Sequence, residues 1–134
     1  MTSVTREKAE KIMSVFRESF LHQDLEAFLE LFDEEVRFEF PYAPESYAAR
    51  LNGKEELRAH VSALKSLFEI TSFSEPVIHR SADGPVFTAE FEGRGRMLES
   101  GKPYDQQYIS VIELRGDKII RYQDYWNPLR LAEN

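Results

Sequence analysis

The sequence predicts an α+β fold in which helices from the N-terminal half pack on one face of a curved, mostly antiparallel sheet. Three segments before residue 69 repeat apolar residues every three or four positions, whereas one early segment and the C-terminal half alternate with a period of two. Short, turn-rich connections join the later segments, which favours antiparallel neighbours. Helices that precede a run of strands in this way are expected to cover one face of a single sheet.

Three amphipathic helices are expected, each with a recognisable start. Ser3 or Thr5 can cap the first helix through a hydroxyl group, Asp24 can cap a short second one, and the third follows Gly53. Their apolar faces consist of Ile12, Val15, Phe16 and Phe20; of Leu25, Phe28, Leu29 and Phe32; and of Leu57, Val61, Leu64, Leu67 and Phe68.

Five strands are expected, one before the third helix and four after it. In the first, Val36, Phe38 and Phe40 alternate with charged residues, and Pro41 ends it. The irregular loop PYAPESYAARLNG follows. The turns SADGP, ESGKP and RGDK then separate four strands, at 70–79, 86–98, 104–114 and 119–126.

The last strand carries the most informative acidic residue. Strict alternation gives it one face composed of Ile120, Tyr122, Asp124 and Trp126. A carboxyl group among such large apolar neighbours is expected to have a raised pKa, which suits a general acid or base.

Composition excludes several classes of protein. The 134 residues suffice for one domain, 1–134, and a net charge of −7 disfavours nucleic-acid binding. The absence of cysteine excludes disulfides and thiolate metal ligands. The three histidines, at 22, 60 and 79, lie on separate elements, so neither a metal site nor a cofactor is predicted. No segment is typical of a signal peptide or a membrane span, so the expected location is the cytoplasm, away from membranes.

The stretch FDEEVRFEFP and the ending GDKIIRYQDYWNP, together with the order of elements, resemble the SnoaL-like branch of the nuclear-transport-factor-2-like superfamily, which has the ketosteroid-isomerase-like fold. The resemblance covers about residues 8–129. It implies a cone-shaped sheet that encloses a mostly apolar pocket, and a homodimer formed through the outer sheet face. This fold hosts isomerases, cyclases, dehydratases, epoxide hydrolases and proteins without known activity, so it assigns no function by itself.

Two enzyme groups of this fold match poorly in their catalytic residues. The resemblance to ketosteroid isomerases places their acid and base groups at Phe16, Phe40 and Gln107, and phenylalanine cannot transfer a proton. That activity is therefore excluded. Limonene-epoxide-hydrolase-like enzymes have an acid that corresponds to Asp124, but their Arg-x-Asp pair has no counterpart in the predicted register.

In the positions of a histidine and an acid, the chain is most similar to the phenazine-biosynthesis members of this superfamily. They carry a histidine on the third helix and an acid in the last strand before an N-P ending, positions that fall here on His60, in GKEELRAHVSAL, and on Asp124, in YQDYWNPL. The resemblance implies acid/base catalysis on a ring-bearing carbonyl compound, with aspartate in place of glutamate.

The leading hypothesis is a cofactor-independent acid/base enzyme that acts on a small hydrophobic, cyclic, carbonyl-bearing metabolite, of isomerase, cyclase, dehydratase or condensation type. His60 and Asp124 are the predicted catalytic pair, with Gln107 and Tyr122 orienting the substrate. The predicted pocket residues are Phe16, Phe20, Phe38, Phe40, Tyr42, Gln107, Tyr122 and Trp126. The alternatives are a non-catalytic small-molecule-binding or dimerisation module, and epoxide-hydrolase-like activation of water by Asp124.

Overall fold

The computed structural model describes residues 2–132, so the two ends of the predicted domain, 1 and 133–134, lie outside the described residues. The elements, in chain order, are α1 (Arg6–Leu21), α2 (Leu25–Leu29), β1 (Phe32–Glu39), β2 (Arg50–Asn52), α3 (Lys54–Leu64), β3 (Phe68–Phe73), β4 (Val77–Arg80), β5 (Val86–Met97), β6 (Pro103–Arg115), β7 (Lys118–Trp126) and α4 (Pro128–Ala132). The predicted α+β class is confirmed.

One curved sheet of seven strands, which does not close into a barrel, organises the described residues. The strand order is β2-β1-β7-β6-β5-β3, and β4 pairs with another stretch of β5. Within residues 2–132, β1 and β7 run parallel and the other strand pairs are antiparallel, in line with the expected mostly antiparallel sheet. The core lies between the helices and the concave face of this sheet, and its most buried members include Phe32, Phe87, Ala89, Ile112 and Ile119.

The three predicted helices begin where the sequence predicts, but the second and third end earlier. Thr5 caps α1, because its hydroxyl oxygen accepts a hydrogen bond of 3.1 Å from the backbone N–H of Lys8. The predicted second helix extended to Phe32, which instead opens β1 and is fully buried. Likewise, Leu67 and Phe68 lie beyond the end of α3, with Phe68 in β3. A short apolar run at a helix end does not distinguish a last turn from the start of a buried strand.

The predicted strand 70–79 is divided in two. Pro76, which has no N–H group to donate to a neighbouring strand, lies between β3 and β4. Just before this break, Ser74 forms two hydrogen bonds of 2.9 Å with the backbone of Glu92, one through its N–H and one through its hydroxyl. Both halves therefore remain attached to β5. The loop after β1 also contains β2, which was not predicted.

A β-bulge changes the phase of β7. Leu114 of β6 pairs with Ile119, and the next residue of β6, Glu113, pairs with Arg121, so Ile120 has no partner in this ladder. Ile119 is consequently fully buried, whereas Ile120 is only half-buried. The strict alternation assumed for this strand is wrong at Ile120 and holds from Tyr122 onwards.

Candidate functional site

A cavity of about 320 Å³ lies between the helices and the concave face of the sheet. Its wall is mostly apolar and aromatic. Rings from α1, α2 and the sheet supply much of this wall: Phe16, Phe20, Phe28, Phe38, Phe40, Phe68, Phe73, Phe91 and Trp126. The ionisable groups in the lining belong to His60, Asp124 and four tyrosines, Tyr47, Tyr104, Tyr108 and Tyr122. Few polar groups in a mostly apolar concavity are typical of a small-molecule site.

Asp124 is the acid of this cavity. It lies on the concave side of β7 opposite Ser110, and its Oδ1 atom is buried without a hydrogen-bond partner among residues 2–132. No ion pair between Asp124 and an Arg or Lys occurs in that part of the chain. Because burial disfavours the charged form, it raises the pKa of this carboxyl to about 7. Near neutral pH, Asp124 is thus present in both protonation states.

His60 reaches the same cavity from α3. Gly53, at φ 89°, provides the left-handed backbone that precedes this helix. Leu57, His60, Val61 and Leu64 then recur at helical spacing and all line the cavity. The His60 ring is half-buried, 5.1 Å from the ring of Phe40, and burial lowers its pKa below the ordinary 6.5. Within the described chain no hydrogen bond or ion pair joins His60 to Asp124.

Tyr122 lies at the centre of the aromatic wall. Its hydroxyl is 2.6 Å from Ser110 Oγ, and its ring stacks on that of Phe38 at 4.5 Å and on that of Phe16 at 5.8 Å. Burial raises the pKa of this phenol well above its usual value, so Tyr122 stays neutral. Since its hydroxyl already has a partner, the residue forms a fixed, flat wall of the cavity.

A network not predicted from the sequence connects the ends of β6 and β7. The buried side chain of Gln106 donates to the Tyr104 hydroxyl at 3.1 Å and to the backbone carbonyl of Asn127 at 3.0 Å. Its carbonyl oxygen accepts from the backbone N–H groups of Asn127 at 2.8 Å and Gln107 at 3.1 Å. The signal in the sequence is the run Tyr104, Gln106, Tyr108, which alternates out of phase with the apolar Ile109 and Val111.

Two predicted positions lie outside this cavity. Gln107 is exposed on the outer face of β6, because the inward-facing residues of this part of the strand are Tyr104, Gln106 and Tyr108. Tyr42 is 63% exposed, and its ring packs at 5.3 Å against that of Tyr125, on the other side of β7. The other predicted site residues line the cavity: Phe16, Phe20, Phe38, Phe40, His60, Tyr122, Asp124 and Trp126.

Two kinds of feature do not occur within residues 2–132. No group of three or more His, Cys, Asp or Glu side chains is arranged so that it could hold a metal ion. None of the helices combines the length and apolar character required to cross a membrane.

The chain matches the family model of the SnoaL-like domain over residues 13–122. It is 42% identical to the uncharacterized protein YesE of Bacillus subtilis over 95% of this chain and 86% of the relative. It is 36% identical to the uncharacterized PhzA/B-like protein PA3332 of Pseudomonas aeruginosa, over 82% of this chain and 77% of the relative. The crystal structure of a Bacillus subtilis protein provisionally named an isomerase superposes with a TM-score of 0.91, at 42% identity, and covers 95% of this chain and 91% of that one. Because the family model covers most of the chain and relatives above 30% identity cover it too, the chain belongs to the SnoaL-like domain family.

Proposed function

We propose that this protein is a cofactor-independent acid/base enzyme that acts on a small hydrophobic, cyclic, carbonyl-bearing metabolite, with His60 and Asp124 as the groups that move protons. The observation that carries the proposal is the buried, unpartnered Oδ1 of Asp124 in an aromatic cavity. A carboxyl group held for structure alone would normally have its hydrogen bonds satisfied by the protein. The Oδ1 atom of Asp124 therefore remains available for a hydrogen bond with a ligand.

The two groups have complementary protonation states. With its pKa below 6.5, His60 is mostly neutral at pH 7 and can accept a proton, while the protonated fraction of Asp124 can donate one. Both side chains line the same cavity, so a ligand bound there could contact both. In an isomerisation, His60 would remove a proton beside the carbonyl group of an unsaturated ketone while Asp124 donates its proton to the carbonyl oxygen, which gives a conjugated enol. Return of the proton from His60 to a different carbon of that enol, and of the hydroxyl proton to Asp124, would form the isomer and restore both side chains. Positioned proton transfer of this kind typically gives about 10²- to 10⁴-fold acceleration.

The experiment measures deuterium incorporation beside the carbonyl group of 1-tetralone in D2O by NMR. The wild-type protein should accelerate exchange over buffer by roughly 10²-fold, and Asp124→Asn and His60→Gln should each remove most of that acceleration. His79→Gln is the matched control, because His79 pairs with Glu90 at 2.7 Å outside the cavity. Binding of the ketone without exchange above buffer would instead favour the non-catalytic binding module.

The epoxide-hydrolase-like alternative has less support. That mechanism places an arginine beside the acids, and no arginine lines the cavity within residues 2–132. Arg94 and Arg96, the nearest candidates in the sequence, are exposed on the outer side of β5. The alternation of β5 is unbroken along its pairing with β6, so Arg94 and Arg96 stay on the outer face.

We further propose that two copies associate through the outer face of the sheet. Val77, Glu90, Ile109 and Tyr125 form one row across four paired strands. Val77 is 57% exposed and Ile109 44% exposed, and the Tyr42 ring extends the row beyond Tyr125. Three of the four side chains in this row are apolar or aromatic, and Glu90 pairs with His79. Exposed apolar side chains grouped on an outer face favour burial against a partner.

A further inference from the structure

The orientation of the Gln106 side chain is fixed by the backbone around it. One side of the amide faces the N–H group of Asn127 at 2.8 Å, which requires an oxygen there, and the other faces the carbonyl of Asn127 at 3.0 Å, which requires an N–H group. Exchange of the amide oxygen and nitrogen would place like groups together at both contacts. The atom that contacts the Tyr104 hydroxyl is therefore the nitrogen, Nε2.

This orientation determines what the Tyr104 hydroxyl can do. A phenol has one proton to donate, and here its oxygen already accepts a hydrogen bond from Gln106. No hydrogen bond donated by Tyr104 occurs within residues 2–132, although the residue is only 3% exposed. Its side chain lines the same cavity as Asp124, and the pKa of its phenol is raised by burial and, to a smaller extent, by the charge of Asp124. The cavity thus contains, besides the unpartnered Oδ1 of Asp124, a hydrogen-bond donor without an acceptor.

We propose that Tyr104 donates a hydrogen bond to an oxygen atom of the ligand, and that Gln106 is a positioning residue that directs this donation into the cavity. The inference rests on the proposed function only in taking the ligand to carry a carbonyl oxygen. It places that oxygen at the end of the cavity where β6 and β7 meet Asn127. The ring system of the ligand would then lie against the aromatic wall formed by Phe16, Phe38 and Tyr122.

The test compares 1-tetralone with tetralin, which has the same ring system without the carbonyl oxygen, by calorimetric titration. In Gln106→Glu, a carboxylate oxygen replaces Nε2. The Tyr104 hydroxyl then donates its hydrogen bond to this oxygen and no longer to the ligand. Gln106→Glu and Tyr104→Phe should each weaken ketone binding by roughly 3- to 10-fold, the usual worth of one hydrogen bond, without weakening tetralin binding. The double variant should be no weaker than Tyr104→Phe, because both changes remove one interaction.

Gln107→Glu is the matched control, since it introduces the same charge on the exposed side of the same strand. The infrared carbonyl band of bound 1-tetralone gives a second readout, which should lie at lower frequency in the wild type than in Tyr104→Phe. If Gln106→Glu fails to fold, Tyr104→Phe and the infrared band still decide whether Tyr104 donates a hydrogen bond to the ligand. Equal weakening of both ligands, or an unshifted band, would overturn the role of Tyr104 and leave the catalytic pair intact. Failure of the wild type to bind 1-tetralone would overturn both proposals.

Discussion

At the level of single residues, Asp124 should reveal its burial in the pH dependence of stability. The pKa of Asp124 is about 7 in the folded chain, whereas its ordinary value is 3.8. Unfolding therefore releases a proton when the pH lies between these two values. The free energy of unfolding of the wild type should therefore fall relative to Asp124→Asn as pH rises from about 4 to about 7, by at most about 1.4 kcal/mol per pH unit. Urea denaturation at pH 5 and pH 8 measures the difference.

A control for this experiment lies on the neighbouring strand. Asp105→Asn makes the same change of charge at an exposed position of β6. Its curve should stay nearly parallel to that of the wild type. If Asp124→Asn also ran parallel to the wild type, the carboxyl group would not be buried without a partner, and the case for it as the acid would be lost.

At the level of elements, the close approach of β3 to β5 depends on Gly95. A Cβ atom on Gly95 would lie 2.0 Å from the backbone carbonyl oxygen of Glu69, and backbone atoms cannot move aside without displacing the strand. Gly95→Ala should lower the free energy of unfolding by about 2 kcal/mol or more. Because Phe68 and Phe73 of β3 line the cavity, it should also weaken ligand binding.

Gly84→Ala provides the comparison for this clash. Its added Cβ would meet only the Ser81 hydroxyl oxygen at 3.9 Å, an ordinary contact, so the expected change is within about 0.5 kcal/mol. Urea denaturation of both variants decides between a steric effect and a general intolerance of alanine. Similar losses in the two proteins would contradict the steric explanation.

The elements also show what the sequence could predict. The helical spacing of Leu57, Val61 and Leu64 placed His60 on the side of α3 that lines the cavity. On β6, alternation with a period of two led to the wrong prediction that Gln107 faces inward. The inward residues Tyr104, Gln106 and Ser110 are polar, whereas the outward Ile109 is apolar. A strand that lines a cavity with polar groups, and has apolar residues outside, inverts the usual pattern, so alternation alone could not show which face is buried.

At the level of the whole molecule, the outer row of Val77, Ile109 and Tyr125 leads to a prediction about assembly. A lysine at its centre would have to lose its hydration in any interface formed there, which is costly. Ile109→Lys should therefore shift the protein from dimer to monomer in sedimentation equilibrium, whereas Ser62→Lys, on the exposed side of α3, should not. A wild type that is monomeric at every concentration would refute the proposed dimer.

The bulge at Ile120 decides which side chains of the last strand face the cavity. The residue after Ile119 is extra in the ladder, so the alternation is offset by one position from there on. If Ile120 were paired like its neighbours and the strand continued without a bulge, Gln123 and Tyr125 would face the cavity, and Asp124 would face solvent. Deletion of Ile120, by contrast, would remove the bulge and leave Asp124 facing inward. A change in how one strand pairs, with no change of sequence, would therefore exchange one set of reactive groups for another.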